Sequence, residues 1–366
     1  MKIDLSITQV LNSAPEKESF LLYKFLKSRL FLVVMLFVSL CSASFGFLII
    51  NWEQNKLEGE IIIRIPKGKT LRDVSNILLQ KKIINSKRSF MVAVKTLGYE
   101  KDIQAGTLIL HEAHTNYELI NQLVFGVPEL IKITILEGWN IERISESIHS
   151  VFGISKNKII DLCQDRWFIQ SLEISAHTLE GFLFPETYYF TESESPRNIL
   201  KKMVSEYNKQ ITDNMKIRMK QIGFNQLEIT TLASIIEGEA IFDSERKKIS
   251  SVYHNRIRQG MKLQADPTIQ YIIDDGPRRL LNKDLNIQSP YNTYLHKGLP
   301  PGPINSPGIQ SINAALYPED SEYIYFVARG DGYHTFSKTT EDHKKAKQKF
   351  NRVRKKINRK KQEENN

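Results

Sequence analysis

Cysteine is scarce in this chain, which has two residues of this type among 366. Cys41 lies inside an apolar run, and Cys163 is the only thiol after that run. An intrachain disulfide is therefore excluded from the segment that follows, and buried apolar cores have to stabilise it. Cysteine and histidine also form no cluster with the spacing of metal ligands, so we expect neither a metal site nor a cofactor.

Long apolar runs are equally scarce, and the one that occurs covers Leu30 to Ile50. Its roughly 21 uncharged residues have about the length needed to cross the hydrocarbon core of a membrane as a helix. Basic residues precede the run and mostly acidic ones follow it: Lys24, Lys27 and Arg29 before, and Glu53, Lys56, Glu58 and Glu60 after. The positive-inside rule then places the N-terminus in the cytoplasm and the remainder outside the cell (inner) membrane.

A cleaved signal peptide is the alternative explanation of this run. However, the run exceeds a usual signal core, and small-x-small sequence occurs only in its interior, around Ser42 to Ser44. We therefore predict a retained transmembrane helix over residues 30–50, preceded by a short cytoplasmic tail over residues 1–29.

Acidic residues do not balance the basic ones, and the net charge is +10 at pH 7. Much of the excess lies between Arg352 and Lys361, in the segment RVRKKINRKK. Because this segment is expected outside the membrane, a nucleic-acid partner is not expected, and residues 351–366 are predicted to be a basic disordered tail. Attraction of the tail to anionic lipid headgroups or wall polymer is the alternative.

The segment after the apolar run predicts an α+β fold. Alternating isoleucines from Ile61 to Ile65 indicate a strand, and apolar residues in helical phase from Leu71 to Leu78 indicate the helix after it. Two helices and one strand complete this small module, at Ser86 to Leu97, Tyr117 to Val124 and Gly106 to Leu110. The order resembles a LysM-like module, assigned to residues 58–126, which would bind glycan or act as a spacer.

The strand, turn and helix pattern then returns, with a strand over Ile131 to Ile135 and helical spacing from Ile141 to Ile148. We interpret this as a divergent internal repeat that opens a larger mixed α/β domain over residues 128–350. Further along we predict helices from Ile141 to Asp165 and from Pro196 to Ile222, and a hairpin of Tyr323 to Arg329 with His334 to Lys338.

Residues Leu227 to Phe242 predict an apolar helix that carries two glutamates. Glu239 shares a face with Ile235 and Ile236, whereas Glu237 lies on the other side of the helix. A carboxyl on an apolar face loses hydration, which raises its pKa and suits a general acid near neutral pH. Glu239 is therefore the predicted catalytic acid. The alternative is that Glu239 only pairs with a base such as Arg246 or Arg256 and holds two helices together.

Polar and aromatic residues follow this helix in two short segments. They are Gln264 and Asp266 in LQADPTIQYI, and Tyr291, Asn292 and Thr293 ahead of a loop rich in proline and glycine. Rings pack on sugar faces, and amides and hydroxyls bond to sugar hydroxyls, so these residues are predicted to bind and position a substrate of that kind.

Six segments closely resemble, in order and spacing, the endolytic murein transglycosylase (YceG-like) family: IIEGEA, SERKKISSVYHNRI, LQADPT, SPYNTY, GLPPGPINSPG and YFVARGDGYHTFSKT. The segment EGFLFPETY, from Glu180 to Tyr188, and the N-terminal apolar run fit the same family, so the resemblance covers nearly all of residues 30–350. Departures fall at loosely constrained positions, Gly238 and Ala265. Gly238 should weaken its helix by about 1 kcal/mol relative to Ala without changing the chemistry.

This resemblance implies a lyase of the cell wall, an endolytic peptidoglycan lytic transglycosylase. It would cleave the β-1,4 bond between N-acetylmuramic acid and N-acetylglucosamine in nascent strands, leave 1,6-anhydro ends and terminate glycan elongation. The catalytic glutamate of the family motif is the second of the two, Glu239, and Glu237 is assigned to substrate binding. Peptidoglycan glycan strands are the implied partner, and membrane-bound peptidoglycan synthases are compatible with the anchor.

The implied chemistry needs one carboxylate, which protonates the leaving oxygen and then takes the proton of the muramic C6 hydroxyl as that hydroxyl attacks its own anomeric carbon. A muramidase that adds water is one alternative, with Asp266 as the partner carboxylate of Glu239. A non-catalytic glycan-binding scaffold of the wall-synthesis machinery, with a structural Glu239, is the other.

Overall fold

The structure is a computed structural model that describes residue 24 and residues 27–51, 53–57 and 59–364. The chain divides into two compact units, residues 1–130 with 191–193 and residues 131–190 with 194–366. The predicted boundary between the small module and the larger domain lies close to this division. Most of the predicted cytoplasmic tail, residues 1–29, lies outside the described residues.

The predicted apolar run forms a single helix, α1, from Arg29 to Asn51. Within it, Phe31–Ile50 is long and apolar enough to cross a membrane, and it is the one such helix among the described residues. Large apolar side chains on all sides of α1 are exposed in the protein, for example Phe37 at 68% and Leu36 at 64%. A helix that is apolar all round and leaves most of its side chains exposed fits a lipid environment, so α1 is compatible with a single-pass anchor. Its end, at Ile49 and Ile50, packs against the core of the first unit.

The rest of the first unit consists of short strands and helices around their own apolar core. In chain order they are β1 (Glu53–Leu57), β2 (Ile61–Ile65), α2 (Leu71–Gln80), α3 (Lys87–Leu97), β3 (Gly106–Leu110), β4 (Ala113–Thr115) and α4 (Asn116–Phe125). β2 pairs antiparallel with β3, and β1 pairs antiparallel with β4. The predicted order of strand, two helices and strand is confirmed.

Alternation along β2 decides which of its side chains enter this core. Ile63 is completely buried, whereas Ile62 is 59% exposed, because successive side chains of a strand point to opposite faces. Thr70 caps helix α2: its hydroxyl accepts from the backbone of Asp73, and the Asp73 carboxylate accepts from the backbone of Thr70. Strand pattern and capping box together explain why the first module forms where the sequence predicted it.

The elements from residue 130 onward are mainly helical. In chain order they are β5 (Leu130–Thr134), α5 (Ile141–Phe152), α6 (Lys156–Gln164), α7 (Arg166–Ser171), β6 (Thr187–Thr191), α8 (Pro196–Gln210), α9 (Asp213–Ile222), α10 (Gln226–Glu239), α11 (Asp243–Arg258), α12 (Asp266–Gln270), a 3-10 turn (Asp284–Asn286), α13 (Ile309–Leu316), β7 (Tyr325–Ala328), β8 (His334–Ser337) and α14 (Thr340–Glu364). β5 pairs with β6, and β7 with β8 forms the predicted hairpin. Helix α10 lies at the centre, in contact with α11, α12 and α13.

Two predicted long helices are each broken in the structure. The helix predicted from Ile141 to Asp165 is α5 followed by α6, because Gly153 adopts a left-handed backbone (φ 67°) that ends α5. The helix predicted from Pro196 to Ile222 is α8 followed by α9, and the break falls where Thr212 caps α9. The segment predicted as a disordered tail from residue 351 lies in α14 up to Glu364.

The alternation along β2 predicts opposite outcomes for two neighbouring isoleucines. Ile63→Ala removes a fully buried side chain and should destabilise the first unit by about 2–5 kcal/mol, whereas Ile62→Ala should cost less than about 1 kcal/mol. Hydrogen exchange of peptides spanning residues 61–110, followed against denaturant, measures the local free energy of unfolding. Equal losses in the two variants would contradict the strand register.

Candidate active site

Glu239 is the last residue of α10, a helix in which every residue from Ile229 to Ile236 is buried. The helix starts at Asn225, which forms a capping box with Glu228. It ends because Ala240 turns to extended backbone, with φ −84° and ψ 123°. The end of this buried helix therefore brings Glu239 from the core to a half-buried position.

Tyr253 of α11 holds the Glu239 carboxyl group in place. The Tyr253 hydroxyl donates to Glu239 Oε1 at 3.0 Å, and the tyrosine is 1% exposed. Its ring packs edge to face against Phe326 of β7, with ring centroids 5.8 Å apart. Because the Tyr253 ring is buried and packed against Phe326, its hydroxyl is held in place and fixes the orientation of the Glu239 carboxyl group.

The surroundings of Glu239 hold its pKa near neutrality. Burial raises the pKa to about 7, and the charge of Asp266 acts in the same direction. The hydrogen bond from Tyr253, the charge of Arg256 and the backbone of Asp266 favour the ionised form and oppose that rise. Near pH 7 both protonation states are therefore populated, as general acid–base catalysis requires. The direction of this pKa shift is the one that the helix-face argument predicted.

Glu239 lines a cleft of about 620 Å³. The walls come from the start of α5, the end of α10, α12 with the segment after it, and the loop before α13. Polar and aromatic side chains on these walls include Asn140, Glu142, Arg143, Asp266, Tyr271 and Asn305. A cleft of this volume with a few convergent polar groups has the size and lining of a small-molecule binding site. No group of histidine, cysteine and acidic residues that could hold a metal occurs among the described residues.

Gly238 allows α12 to approach the end of α10. A Cβ atom at this position would lie 2.6 Å from Cβ of Pro267, closer than real contacts allow. The glycine therefore sets the distance between the helix end that carries Glu239 and the helix that starts at Asp266. The expectation that Gly238 affects only helix stability does not agree with this contact.

Asp266 is the first residue of α12 and lines the same cleft as Glu239. Its carboxylate accepts a hydrogen bond from the hydroxyl of Tyr294. Asp266 is exposed, whereas Glu239 is half-buried. The two carboxyl groups of the cleft therefore differ in hydration, and Glu239 is the one suited to carry a proton near neutral pH.

Glu237 has a structural position, in contrast to its predicted role in substrate binding. One carboxylate oxygen lies 3.1 Å from Arg246 Nη1, and both side chains are less than 10% exposed, at 7% and 8%. The other oxygen accepts from the backbone N–H of Gly308 at 3.0 Å. The ion pair considered as the alternative for Glu239 is thus formed by Glu237, which joins α10 to α11 and to the start of α13.

Arg256, the other predicted partner of Glu239, is occupied by backbone carbonyls. Its Nε donates to Ile324 O at 2.7 Å and its Nη1 donates to Leu263 O at 2.7 Å. The guanidinium thus joins the start of the hairpin to the loop before α12. Its charge still favours the ionised form of Glu239.

The structure separates the predicted sugar-binding residues into two groups. Asn292 and Thr293 are buried, at 0% and 2% exposed. Asn292 Nδ2 donates to the carbonyls of Leu285 and Ile287. Thr293 Oγ1 accepts from Ala265 N. These buried bonds shape the loop and do not fit the direct sugar contact that we predicted. Gln264 is exposed, with φ 49°, and Tyr291 is half-buried with its ring 5.0 Å from that of Tyr271.

Several residues of the site were not identified from the sequence. Tyr253 lies in the segment SERKKISSVYHNRI, but nothing in that segment indicated that its hydroxyl meets Glu239. Asn140, Glu142 and Arg143 follow a strand and a turn, a position where walls of a cleft commonly arise. Tyr271 lies five positions beyond Asp266, directly after the end of α12, and also lines the cleft.

A single desolvated glutamate at the edge of an open cleft has the architecture of an acid–base enzyme. The YceG-like family matches residues 63–349. An endolytic murein transglycosylase of Bacillus subtilis is 36% identical over 304 residues, which are 79% of this chain and 84% of that protein. One of Streptococcus pneumoniae is 28% identical over 316 residues, 77% of this chain and 57% of that protein.

A solved structure shows the same relation. The 2.6 Å crystal structure of a yceG-like protein from Listeria monocytogenes matches with a TM-score of 0.55 and 34% identity, covering 78% of this chain and 98% of that one. The chain belongs to the YceG-like family. The resemblance predicted from its motifs is confirmed.

The bond from Tyr253 predicts the direction in which the pKa of Glu239 moves. Tyr253→Phe removes a donor that stabilises the ionised carboxylate, so the pKa of Glu239 should rise further. Titration of ¹³C-labelled glutamate carboxyl groups by NMR measures this. Tyr207→Phe is a matched control, because its buried hydroxyl bonds Thr230 at the opposite end of α10. A lower or unchanged pKa in Tyr253→Phe would contradict the assignment.

The contact at Gly238 predicts a loss of stability on a substitution that normally stabilises helices. Gly238→Ala should favour α10 by about 1 kcal/mol through helix propensity, but the clash with Pro267 should cost about 1–3 kcal/mol. The net free energy of unfolding, measured by denaturant titration, should fall. A gain in stability would show that α12 does not need the glycine.

Proposed function

We propose that this chain is an endolytic peptidoglycan lytic transglycosylase, which cleaves the β-1,4 bond between N-acetylmuramic acid and N-acetylglucosamine and leaves 1,6-anhydro ends. The observation that carries the proposal is Glu239, held by Tyr253 at the edge of the cleft with its pKa raised to about 7. The relatives named endolytic murein transglycosylases support the substrate class. The enzyme is thus a lyase that acts on peptidoglycan.

In the first step Glu239 acts as the general acid. Its protonated form transfers a proton to the glycosidic oxygen, the bond from that oxygen to muramic C1 breaks, and the N-acetylglucosamine side leaves with a free hydroxyl. Proton transfer of this kind contributes about 10²- to 10⁴-fold to the rate. The resulting Glu239 carboxylate is stabilised by the Tyr253 hydroxyl and by the charge of Arg256.

In the second step the same carboxylate acts as the base. It accepts the proton of the muramic C6 hydroxyl while the C6 oxygen bonds to C1, which closes the 1,6-anhydro ring and returns Glu239 to its protonated form. Water is neither consumed nor released. Because the nucleophile belongs to the sugar itself, catalysis depends on holding that ring in the reactive geometry.

Positioning of the ring falls to the exposed groups around the cleft. Asp266, Gln264 and the half-buried ring of Tyr291 are the predicted residues that remain available for contact with sugar. Asn292 and Thr293 support them indirectly, because Thr293 O accepts from Gln264 N at 3.1 Å and Asn292 orders the loop that carries Tyr291. Glu237 contributes through its ion pair with Arg246 and not through the substrate.

Hydrolysis is a second candidate reaction, because Asp266 faces the cleft beside Glu239 and could activate water as the partner carboxylate of a muramidase. The difference in hydration between the two groups and the names of the relatives favour the lyase. A non-catalytic glycan-binding scaffold is the remaining alternative, and the pKa of Glu239 near 7 supports catalysis over that alternative.

The rest of the chain is assigned by the same proposal. Helix α1 anchors the protein in the cell (inner) membrane, with the N-terminus in the cytoplasm and the catalytic unit outside. The β2–α2–α3–β3 module has the element order of a LysM-like glycan-binding unit. Placed beside membrane-bound peptidoglycan synthases, the enzyme cuts nascent strands and so terminates their elongation.

Product analysis tests the reaction. Uncrosslinked glycan strands are incubated with the chain in detergent and the products identified by mass spectrometry, beside Glu239→Gln and Glu237→Gln. Glu239→Gln should lower the rate by about 10²-fold or more, because the amide cannot donate and reclaim the proton. Glu237→Gln should give the same anhydro products but unfold at a lower temperature, because it weakens a buried ion pair.

Each outcome separates the candidates. Anhydro-ended fragments that disappear with Glu239→Gln support the lyase. Reducing ends without anhydro sugar would indicate hydrolysis, and Asp266→Asn should then abolish it. Binding without any cleavage would favour the scaffold. Loss of cleavage in a fully folded Glu237→Gln variant, with Glu239→Gln active, would reverse the assignment of the two glutamates.

A further inference from the structure

A second desolvated glutamate, Glu180, lies behind the wall of the cleft and takes no part in the reaction described above. It is 4% exposed and opens the EGFLFPETY segment, which runs into β6. Burial raises its pKa to about 8. Among the described residues no lysine, arginine or histidine forms an ion pair with it. An unpaired buried carboxyl is costly, so its contacts indicate what it does.

The first contact is with the start of α5. Both carboxyl oxygens of Glu180 lie within hydrogen-bond distance of Ile141 N, at 3.2 and 3.3 Å. Ile141 is the first residue of α5, and its N–H has no partner inside the helix. Glu180 therefore fixes the end of α5 from which Asn140, Glu142 and Arg143 line the cleft.

The second contact is with the other side of the cleft. The hydroxyl of Tyr271, which follows α12, lies 3.5 Å from Glu180 Oε2. Tyr271 lines the cleft, and its ring lies 5.0 Å from that of Tyr291. One buried group thus meets the two cleft walls, one formed by the N-terminus of α5 and the other by the segment that begins at Asp266.

We propose that Glu180 is a positioning residue that holds the start of α5 and Tyr271 at the spacing required to bind a sugar ring beside Glu239. The proposal rests on the proposed function, because the bound sugar is the glycan strand cleaved there. Glu180 acts through Ile141 and Tyr271 and does not touch the reacting atoms. Its effect is on substrate affinity, whereas Glu239 determines turnover.

The hydrogen bonds of Glu180 give the proposal a sharp test. In the structure the Ile141 N–H and the Tyr271 hydroxyl both donate to the Glu180 carboxyl group. Glutamine keeps both contacts, because its Oε1 accepts from Ile141 N–H and its Nε2 donates to the oxygen of the Tyr271 hydroxyl, a group that both donates and accepts. Alanine removes the partner of both the helix N–H and the tyrosine hydroxyl. Leaving buried polar groups without a partner costs more free energy than exchanging one partner for another.

The experiment measures equilibrium binding of uncrosslinked glycan strands to the full chain in detergent, in the Glu239→Gln background so that no cleavage occurs. Glu180→Ala should weaken binding about tenfold, and Glu180→Gln should stay within about twofold of the parent. Asp165→Ala is the matched control, because the Asp165 carboxylate also accepts from N–H groups at the start of a helix, α7, in the same unit, but does not line the cleft. It should not change the affinity. With Glu239 restored, Glu180→Ala should raise KM and leave kcat within about twofold.

Unchanged binding by folded Glu180→Ala, or equal weakening by the alanine and glutamine variants, would overturn the proposal. A lower kcat with an unchanged KM would also overturn it, because that result reports a smaller folded fraction. Should Glu180→Ala fail to fold, the affinity of Tyr271→Phe decides. A loss of about threefold supports the proposal, and an unchanged affinity overturns it. Anhydro products from the wild type together with Glu180-independent binding would reject this proposal alone. Glu180-dependent binding without any cleavage by the wild type would reject only the proposed reaction.

Discussion

The role proposed for Glu239 requires a carboxyl that loses hydration without losing access to substrate, and the end of α10 satisfies both requirements. Helix α10 is buried over most of its length, and its last residue lies at the boundary of the core. The backbone becomes extended at Ala240, directly after Glu239. Desolvation alone would raise the pKa until the carboxyl no longer ionised near neutral pH. The hydroxyl of Tyr253 and the charge of Arg256 limit that rise. The balance of these effects keeps one carboxyl usable as acid and then as base.

The neighbouring elements are arranged around this requirement. Gly238 lets Pro267 approach within a distance that any side chain would prevent, and this brings Asp266 to the cleft edge. Glu237, on the opposite side of the same helix, is fixed in an ion pair with Arg246 that ties α10 to α11. Buried bonds of Asn292 order the loop behind Tyr291. Residues adjacent in sequence therefore divide into those that hold the site and those that face it.

Local sequence predicted the parts of the fold that depend on local physics. The alternation from Ile61 to Ile65, the apolar run of α1 and the hairpin across Gly330 need only periodicity and turn residues, and each has the predicted form. The breaks in the two long helices were not predicted, because the apolar spacing continues across them. Each break depends on a single residue, Gly153 with its positive φ in one case and the Thr212 cap in the other. Periodicity also separated Glu237 from Glu239, since the two lie on opposite helix faces.

The partners of those side chains could not be predicted in the same way, because they come from distant parts of the chain. Tyr253 meets Glu239 only through the packing of α11 on α10, and Glu180 meets Ile141 after the chain has passed through α5, α6 and α7. Asn292 and Thr293 illustrate the converse: amide and hydroxyl groups suited to sugars are fully used by the backbone once the loop folds.

Glu180 and Glu239 show why burial alone does not identify a catalytic acid. Both are carboxyls whose pKa is raised by loss of hydration, to about 8 and about 7. Glu180 is 4% exposed, and its oxygens are directed at a helix N-terminus and a tyrosine. Glu239 stands at a helix end that opens on the cleft. Desolvation gives each of them a proton near neutral pH, and access decides which proton can reach a substrate.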